Sequence, residues 1–464
     1  MNRRLIIIIA IALVVLIGIT TAFFATRQKQ AGPAPKDDNI TLTYWRPLDD
    51  SATFQPVIDE YQKTNPKVKI EYKKIPIKDY ETQLLDAIAS GRGPDLFSVG
   101  NAWMPKYFDK LAPSPEDKLS VADFEKAYYP IAAKDNIKDK RIYGIPYSID
   151  TLALYYNTDL YGKADISEPP KTWDEVVGKP ADPSRPSEAA KPSMLAKLNN
   201  RQGNAFKQSA IAVGNNQTQR SSDVLSLMML QQRTAMTNDN RDQATFNLTQ
   251  KVDGKDVHLG TEALRFYTSF ADPRTPNYSW NGSLGDSVKA FAEGRTAMMV
   301  GYAYNIPTVE RLNPNLKFDI APVPQIGGSD PVNYASYWSE VVSKSSGHQD
   351  EAWEFIRFAS EQEQLRLINE NTKRIPARKE MGPPQSRLET FKIQAETAVG
   401  WYQADYSKAE AIFADMITQV LSGEDAQRAA DNAANRQTEV LKAFKSGGTP
   451  RGATSSNAPG SPSQ

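Results

Sequence analysis

ITLTYWRPLDDSATFQPVIDEYQKTNPKVKIEYKKIPIKDYETQLLDAIASGRGPDLFSVG, residues 40–100, switches repeatedly between two periodicities. Ile40, Leu42 and Tyr44 fall on every second position, the period of a strand, and Val68, Ile70 and Tyr72 repeat it. Between them Phe54, Val57, Ile58 and Tyr61 recur at helical spacing. That helix is introduced by Asp49-Asp50-Ser51, a cluster able to cap it, and stopped by Asn65-Pro66. Tyr80, Leu84, Leu85 and Ile88 form a second helical stripe ended by Gly91, and DLFSVG (95–100) reads as a short buried strand. The order β-α-β-α-β predicts a parallel sheet with helices on its faces. Ligands of such sheets bind at the carboxyl ends of the strands. Trp45, Asp49, Asp50, Asn101 and Trp103 follow those ends and are therefore candidate site residues.

Downstream, GIPYSIDTLALYYN (144–157), TAMMVGY, FDIAPVPQ and YWSEVVSK read as strands. SDVLSLMMLQQ (222–232), DEAWEFIRFASEQEQLRLI and KAEAIFADMITQVLSG read as helices, and 178–205 reads as loop with short helical pieces. A chain of 464 residues is too long for one core. The late return of strands predicts two α/β lobes between which the chain crosses more than once.

Composition narrows the chemistry. There are 55 basic and 55 acidic residues, so the basic footprint of a nucleic-acid binder is missing. There is no cysteine and there are only two histidines, which argues against thiol nucleophiles, cysteine metal sites and a His-based triad. No EF-hand, Walker A, GxGxxG or HExxH pattern occurs, and no cofactor or metal is expected. Asp49 with Asp150 is the one carboxylate pair that could be offered for glycoside hydrolysis, and nothing in the sequence supports a raised pKa for either.

The N-terminus speaks to localisation. Residues 5–25, LIIIIAIALVVLIGITTAFFA, carry no charge and follow Arg3 and Arg4. About twenty apolar residues span a bilayer core of about 30 Å. The exit AFFATRQ is a poor cleavage site, so an uncleaved anchor is favoured over a cleaved signal. The expected order is a cytoplasmic stub (1–4), a single-pass anchor in the cell membrane (5–25), a tether (26–38), an extracytoplasmic body and a disordered tail (446–464).

An ordered set of blocks then becomes informative: ITLTYW, YQKTNPKVKIEYKKIP, LLDAIASGRGPDLFSV, RIYGIPYSIDTLALYYNTDLY, PPKTWDEVV, AFAEGRTAMMVGY, FDIAPVPQ, VVSKSSGHQDEAWEFIRFAS and RIPARKE. Over about 40–430 the chain resembles the family 1 extracellular solute-binding proteins, the maltose-binding-protein-like receptors of sugar importers. The resemblance implies an α/β, two-lobed periplasmic-binding-protein-like fold (type II) with a ligand cleft between lobes and a multi-crossing hinge. By the family pattern lobe I would hold 39–148 and 296–334, and lobe II 149–295 and 335–445. The implied partners are a carbohydrate solute and ABC transporter permeases with their ATPase; a monomer that binds no nucleic acid is expected. A sensory or adhesion ectodomain on the same fold is the alternative, with a carbohydrate-active hydrolase behind it.

Sugars present hydroxyl edges and apolar ring faces, so a site for them needs aromatic platforms and planar polar groups. Tyr147 and Asp150 lie in the expected first crossing, where the family often sets an acid against sugar hydroxyls; a structural cap is the plainer role for Asp150. The resemblance puts Tyr302 and Tyr304 in the cleft at a second crossing, and Trp338 in a third. Trp401, in AVGWYQADY, resembles the lobe II Trp that stacks on sugar rings. Trp280, in the polar NYSWNGS, reads as a site platform or a loop anchor, and Arg374, in KRIPARK, as a cleft or surface residue.

Overall fold

The computed structural model describes residues 39–178, 192–383 and 386–445. The expected stub, anchor and tether, and the tail from Ser446, lie outside the described residues. Among the described residues no helix is long and apolar enough to cross a membrane.

The opening stretch folds as its periodicities predict: β1 (Ile40–Arg46), α1 (Ser51–Thr64), β2 (Val68–Lys74), α2 (Ile77–Ala89) and β3 (Leu96–Gly100). β1 pairs in parallel with both β2 and β3, in the order 2-1-3. α1 buries Phe54, Val57, Ile58 and Tyr61, the predicted stripe. Its C-terminus is closed by Asn65, whose backbone N–H and side-chain amide both donate to the Tyr61 carbonyl. Asp50 occupies the N-cap position but makes no side-chain cap; its carboxylate pairs with Lys74 instead. α2 is followed by Gly91 at φ +68°, a left-handed position that suits a residue without Cβ.

The chain then passes through β4 (Ser148–Thr151) into a second sheet with β5 (Ala153–Asn157), β6 (Ala205–Ala212), α3 (Ser221–Gln231), α4 (Leu259–Ser269), β7 (Thr296–Gly301) and β8 (Phe318–Pro322). β5 lies between β7 and β8 and is antiparallel to both, and β6 flanks β7 in parallel. β9 (Asn333–Ser336) leads back, and β10 (Trp338–Ser343) inserts beside β3 in the first sheet. α5 (Gln349–Ala359) and α6 (Gln362–Thr372) pack with α1 in one core around Tyr44 and Phe54. After β11 (Ile375–Pro376) the chain returns to the second lobe with α7 (Glu389–Ala395), β12 (Ala398–Val399), α8 (Tyr406–Leu421) and α9 (Ala426–Lys445). There α8 and α9 join α3 and α4 in a separate apolar cluster.

This sheet membership corrects the expected allotment of segments. Strands 296–301 and 318–322 register with Ala153–Asn157, so they belong to the second lobe, whereas 338–343 completes the first. The crossings are β4, β9 and β11, and they hydrogen-bond to one another in a small sheet of order β11-β4-β9-β12. Tyr302 and Tyr304 therefore follow a second-lobe strand and not a crossing, and Trp338 stands just past β9.

Trp280 is 0% exposed and sits in the apolar core, in the irregular stretch that follows α4, and so is not a cleft platform. Its indole N–H has no partner. Truncation to Ala should cost about 3–5 kcal/mol in a urea melt, the range for a buried aromatic. A loss under about 1 kcal/mol would show that the site collapses or that the ring is not core.

Candidate functional site: the cleft between the sheets

A cleft of about 810 Å3 opens where the crossings meet both sheets. From the first lobe Arg46, Asn101, Trp103 and Trp338 line it. Asp150, Ser336 and Arg374 line it from the crossings, and Arg220, Asp223, Tyr304, Trp401 and Tyr406 from the second lobe. Arg46 and Asn101 come from the carboxyl ends of β1 and β3, the rim that a parallel sheet offers.

Seven of the sequence-derived candidates are thus brought together: Asn101, Trp103, Asp150, Tyr304, Trp338, Arg374 and Trp401. Trp103 and Trp338 meet edge to face at 5.1 Å, which holds both rings in fixed orientations. Across the cleft, Trp401 is anchored by its indole N–H on Ser226 Oγ (3.1 Å) and packs on Phe413. Tyr304 is 41% exposed and stacks on the buried Tyr302 at 5.5 Å.

The other six candidates do not line the cleft. Trp45 lies under the Lys73 ammonium at 4.4 Å and packs at the fringe of a first-lobe apolar cluster. Asp50 is exposed and paired with Lys74. Tyr147 is a core residue whose hydroxyl donates to the Ile356 carbonyl, and Trp280 is core as described. Tyr302 is buried beneath Tyr304, its hydroxyl donating to Asp223 Oδ2 at 2.8 Å. Asp49 is buried among charges, paired with Arg46 (3.1 Å) and Arg374 (2.9 Å).

That last pair belongs to a chain of ions under the first-lobe wall. Arg374, from the third crossing, meets Asp49; Asp49 meets Arg46; and Arg46 lies 3.5 Å from Glu340. Glu340 in turn accepts from the hydroxyls of Tyr44 and Ser98. Burial works to raise the Asp49 carboxyl, but Arg46 and Arg374 outweigh it and hold the group below the usual carboxylate range. On the second lobe, Arg220 pairs with the buried Asp223 at 2.6 Å. The arginines Arg46, Arg374 and Arg220 therefore arrive already paired with carboxylates of the protein, the first two sharing Asp49 with Glu340 beside Arg46, the third on Asp223.

Asp150 accepts the backbone N–H groups of Thr151 (2.8 Å), Ala303 (2.9 Å) and Tyr304 (3.4 Å). It ties the first crossing to the turn that follows β7, the structural cap weighed from sequence, and it also lines the cleft.

Sequence reasoning missed Arg220, Asp223, Tyr334, Tyr337 and Tyr406. Arg220 and Asp223 flank the start of α3, at the end of a stretch without a readable pattern. Tyr406 closes the AVGWYQADY block, where Trp401 drew the attention.

The comparisons with known proteins bear directly on this geometry. The model of the bacterial extracellular solute-binding proteins matches residues 57–399, well over half of the chain. The chain belongs to that family. Among its relatives, the multiple sugar-binding protein of Streptococcus mutans is 22% identical over 361 residues, covering 75% of this chain and 77% of the relative. The maltotriose-binding protein of Pyrococcus abyssi is 24% identical over 312 residues, 66% of this chain and 58% of the relative. The solved sugar-binding protein of Xanthomonas citri superposes with a TM-score of 0.68 at 20% identity, covering 87% of this chain and 98% of that one. That likeness shows the two-lobed solute-binding fold.

Burial raises Asp150 to about 7, the three backbone N–H groups and Arg374 opposing it. The unfolded value is about 3.9. Between those values the native carboxyl holds a proton that the unfolded chain has lost, so stability falls as pH rises from about 4 to about 7 and levels off above. Asp135, raised to about 6 by burial, adds to the same fall. D150N should flatten the decline of the melting midpoint across this window; an unchanged slope would contradict the assignment.

Proposed function

We propose that this solute-binding protein is the extracytoplasmic receptor of an ABC importer, closing its lobes on an uncharged mono- or oligosaccharide and passing it to membrane permeases with their ATPase. The observation that carries the reading is the cleft wall. Trp103 and Trp338 from one lobe face a space shared with Trp401 and Tyr304 from the other, beside Asn101, Asp150 and Arg374. Flat rings suit sugar ring faces and the planar polar groups suit vicinal hydroxyls, while about 810 Å3 falls within the usual range of roughly 300–1,000 Å3 for small-ligand sites. The names of the relatives, which bind maltotriose and other sugars, point the same way.

Asn101, Trp103, Asp150, Tyr304, Trp338, Arg374 and Trp401 are the residues we assign to the ligand. The pairing of Arg46, Arg220 and Arg374 with Asp49, Glu340 and Asp223 favours a neutral ligand, since a phosphate would have to displace an internal partner. Asp49 is held by Arg46 and Arg374 and does not line the cleft, so the carboxylate pair that the sequence offered for glycoside hydrolysis, Asp49 with Asp150, is not presented there, which supports a receptor rather than a hydrolase. A ligand touching both lobes stabilises the closed arrangement by that differential affinity. The uncharged run 5–25 supports a single-pass anchor that keeps the receptor beside its transporter; a monomer suffices for this mechanism.

The test is a thermal-shift panel of saccharides, polyols, phosphorylated sugars and amino acids on the full-length chain in a non-glycosidic detergent, followed by calorimetry. A saccharide at 100 times its Kd should stabilise the native state by about 2.7 kcal/mol, without turnover. W338A and W401A should each weaken that binding roughly 10- to 100-fold while the protein stays folded. A shift from phosphorylated sugars or amino acids alone would overturn the ligand class, and released product would overturn the receptor reading.

A further inference from the structure

Tyr406 is the first residue of α8, on the second lobe, and Asp405 caps that helix by accepting the Lys408 N–H at 3.0 Å. Its ring nevertheless packs against the first-lobe apolar cluster that contains Trp103, with Trp338 at its fringe. The Arg220 guanidinium lies 5.1 Å from the Tyr406 ring and 5.4 Å from the Tyr302 ring. Tyr302 stacks on Tyr304 in turn. Tyrosine rings and one cation thus run from the second lobe to the apolar cluster of the first.

The cation in this stack is held rather than loose. Arg220 Nε and Nη2 both reach Asp223 Oδ2, at 2.8 and 2.6 Å, and the same oxygen accepts from the Tyr302 hydroxyl. Arg220 also has a left-handed backbone, φ +59°, a costly conformation for a residue with a side chain. A second contact joins the lobes elsewhere: the Lys106 ammonium, paired with Glu81 at 2.6 Å, lies 4.8 Å from the ring of Phe444 near the end of α9.

We infer that Tyr406 is a positioning residue for capture: seated between Arg220 and the first-lobe apolar cluster that contains Trp103, it stabilises lobe closure through protein–protein contact and so slows release of whatever the cleft holds. Contacts made only when the lobes are together favour the closed state whether or not ligand is bound. With ligand present they act mainly on the off-rate, since the cleft must open before the ligand leaves. The aromatic ring carries the effect. The Tyr406 hydroxyl is 3.5 Å from Glu410, too long to contribute much.

The closure half of this inference is independent of what the ligand is; the retention half rests on the saccharide reading. The chain has no cysteine, so K63C on α1 and K251C on the second lobe give a clean labelling pair for energy transfer in the full-length protein. Ligand-free wild type and Y406F should share a short-distance population that Y406A and Y406L lose. With a saccharide found by the panel, Y406A should release it about tenfold faster and Y406F within about twofold of wild type. Distance distributions that are the same in all four proteins would overturn the inference, as would an unchanged off-rate in Y406A. If no saccharide binds, the ligand class falls and the ligand-free distances still decide the role of Tyr406.

Discussion

The three crossings between the sheets are paired with one another, and this pairing sets the geometry of everything between the lobes. Asp150 stands opposite Ser336, and Ile149 opposite Ile375. Single connections would leave two α/β bodies free to drift. Three short strands joined by backbone hydrogen bonds confine relative motion to bending of a narrow sheet. The cleft lies directly on that sheet, and Asp150, Ser336 and Arg374 are at once hinge residues and cleft wall. A molecule seated there touches both lobes and the element that must bend, which is how binding energy becomes closure.

The buried charges fit the same constraint. Arg374 belongs to the third crossing, yet its partner Asp49 sits past the end of β1, and through Arg46 the pair reaches Glu340 on β10. The hinge is thereby tied to the rim of the first lobe by charge as well as by covalent chain. Removing one member would leave an uncompensated buried ion, a loss on the order of 3–5 kcal/mol. Such a network keeps Arg46 and Arg374 in place at the cleft while leaving them poor partners for an anion.

Residues 40–100 were legible because each element shows its own periodicity, and β-α-β-α-β order leaves few topologies open. The allotment of later segments was not. Thr296–Gly301 is buried at every position, as is Leu96–Gly100, and a strand buried on both faces carries no mark of the sheet it joins. Partner choice is decided by register with Ala153–Asn157, a long-range fact. Trp280 misled for a related reason: its neighbours are polar, but Ser279 Oγ is spent on the backbone N–H groups of Ala210 and Ile211, which draws the segment inward. In the site, strand-end logic located Asn101 and Trp103. Arg220 and Asp223 carry no local pattern, because what makes them a unit is the approach of Tyr302 and Tyr406 from distant parts of the chain.

The central claim is that both lobes grip one saccharide between aromatic walls. A crystal structure of the full body with the saccharide that calorimetry selects would test it most directly. The account predicts a sugar ring stacked at about 4 Å on Trp338 or Trp401, with polar contacts from both sides of the hinge. A ligand held by one lobe alone, or bound away from the cleft, would contradict it.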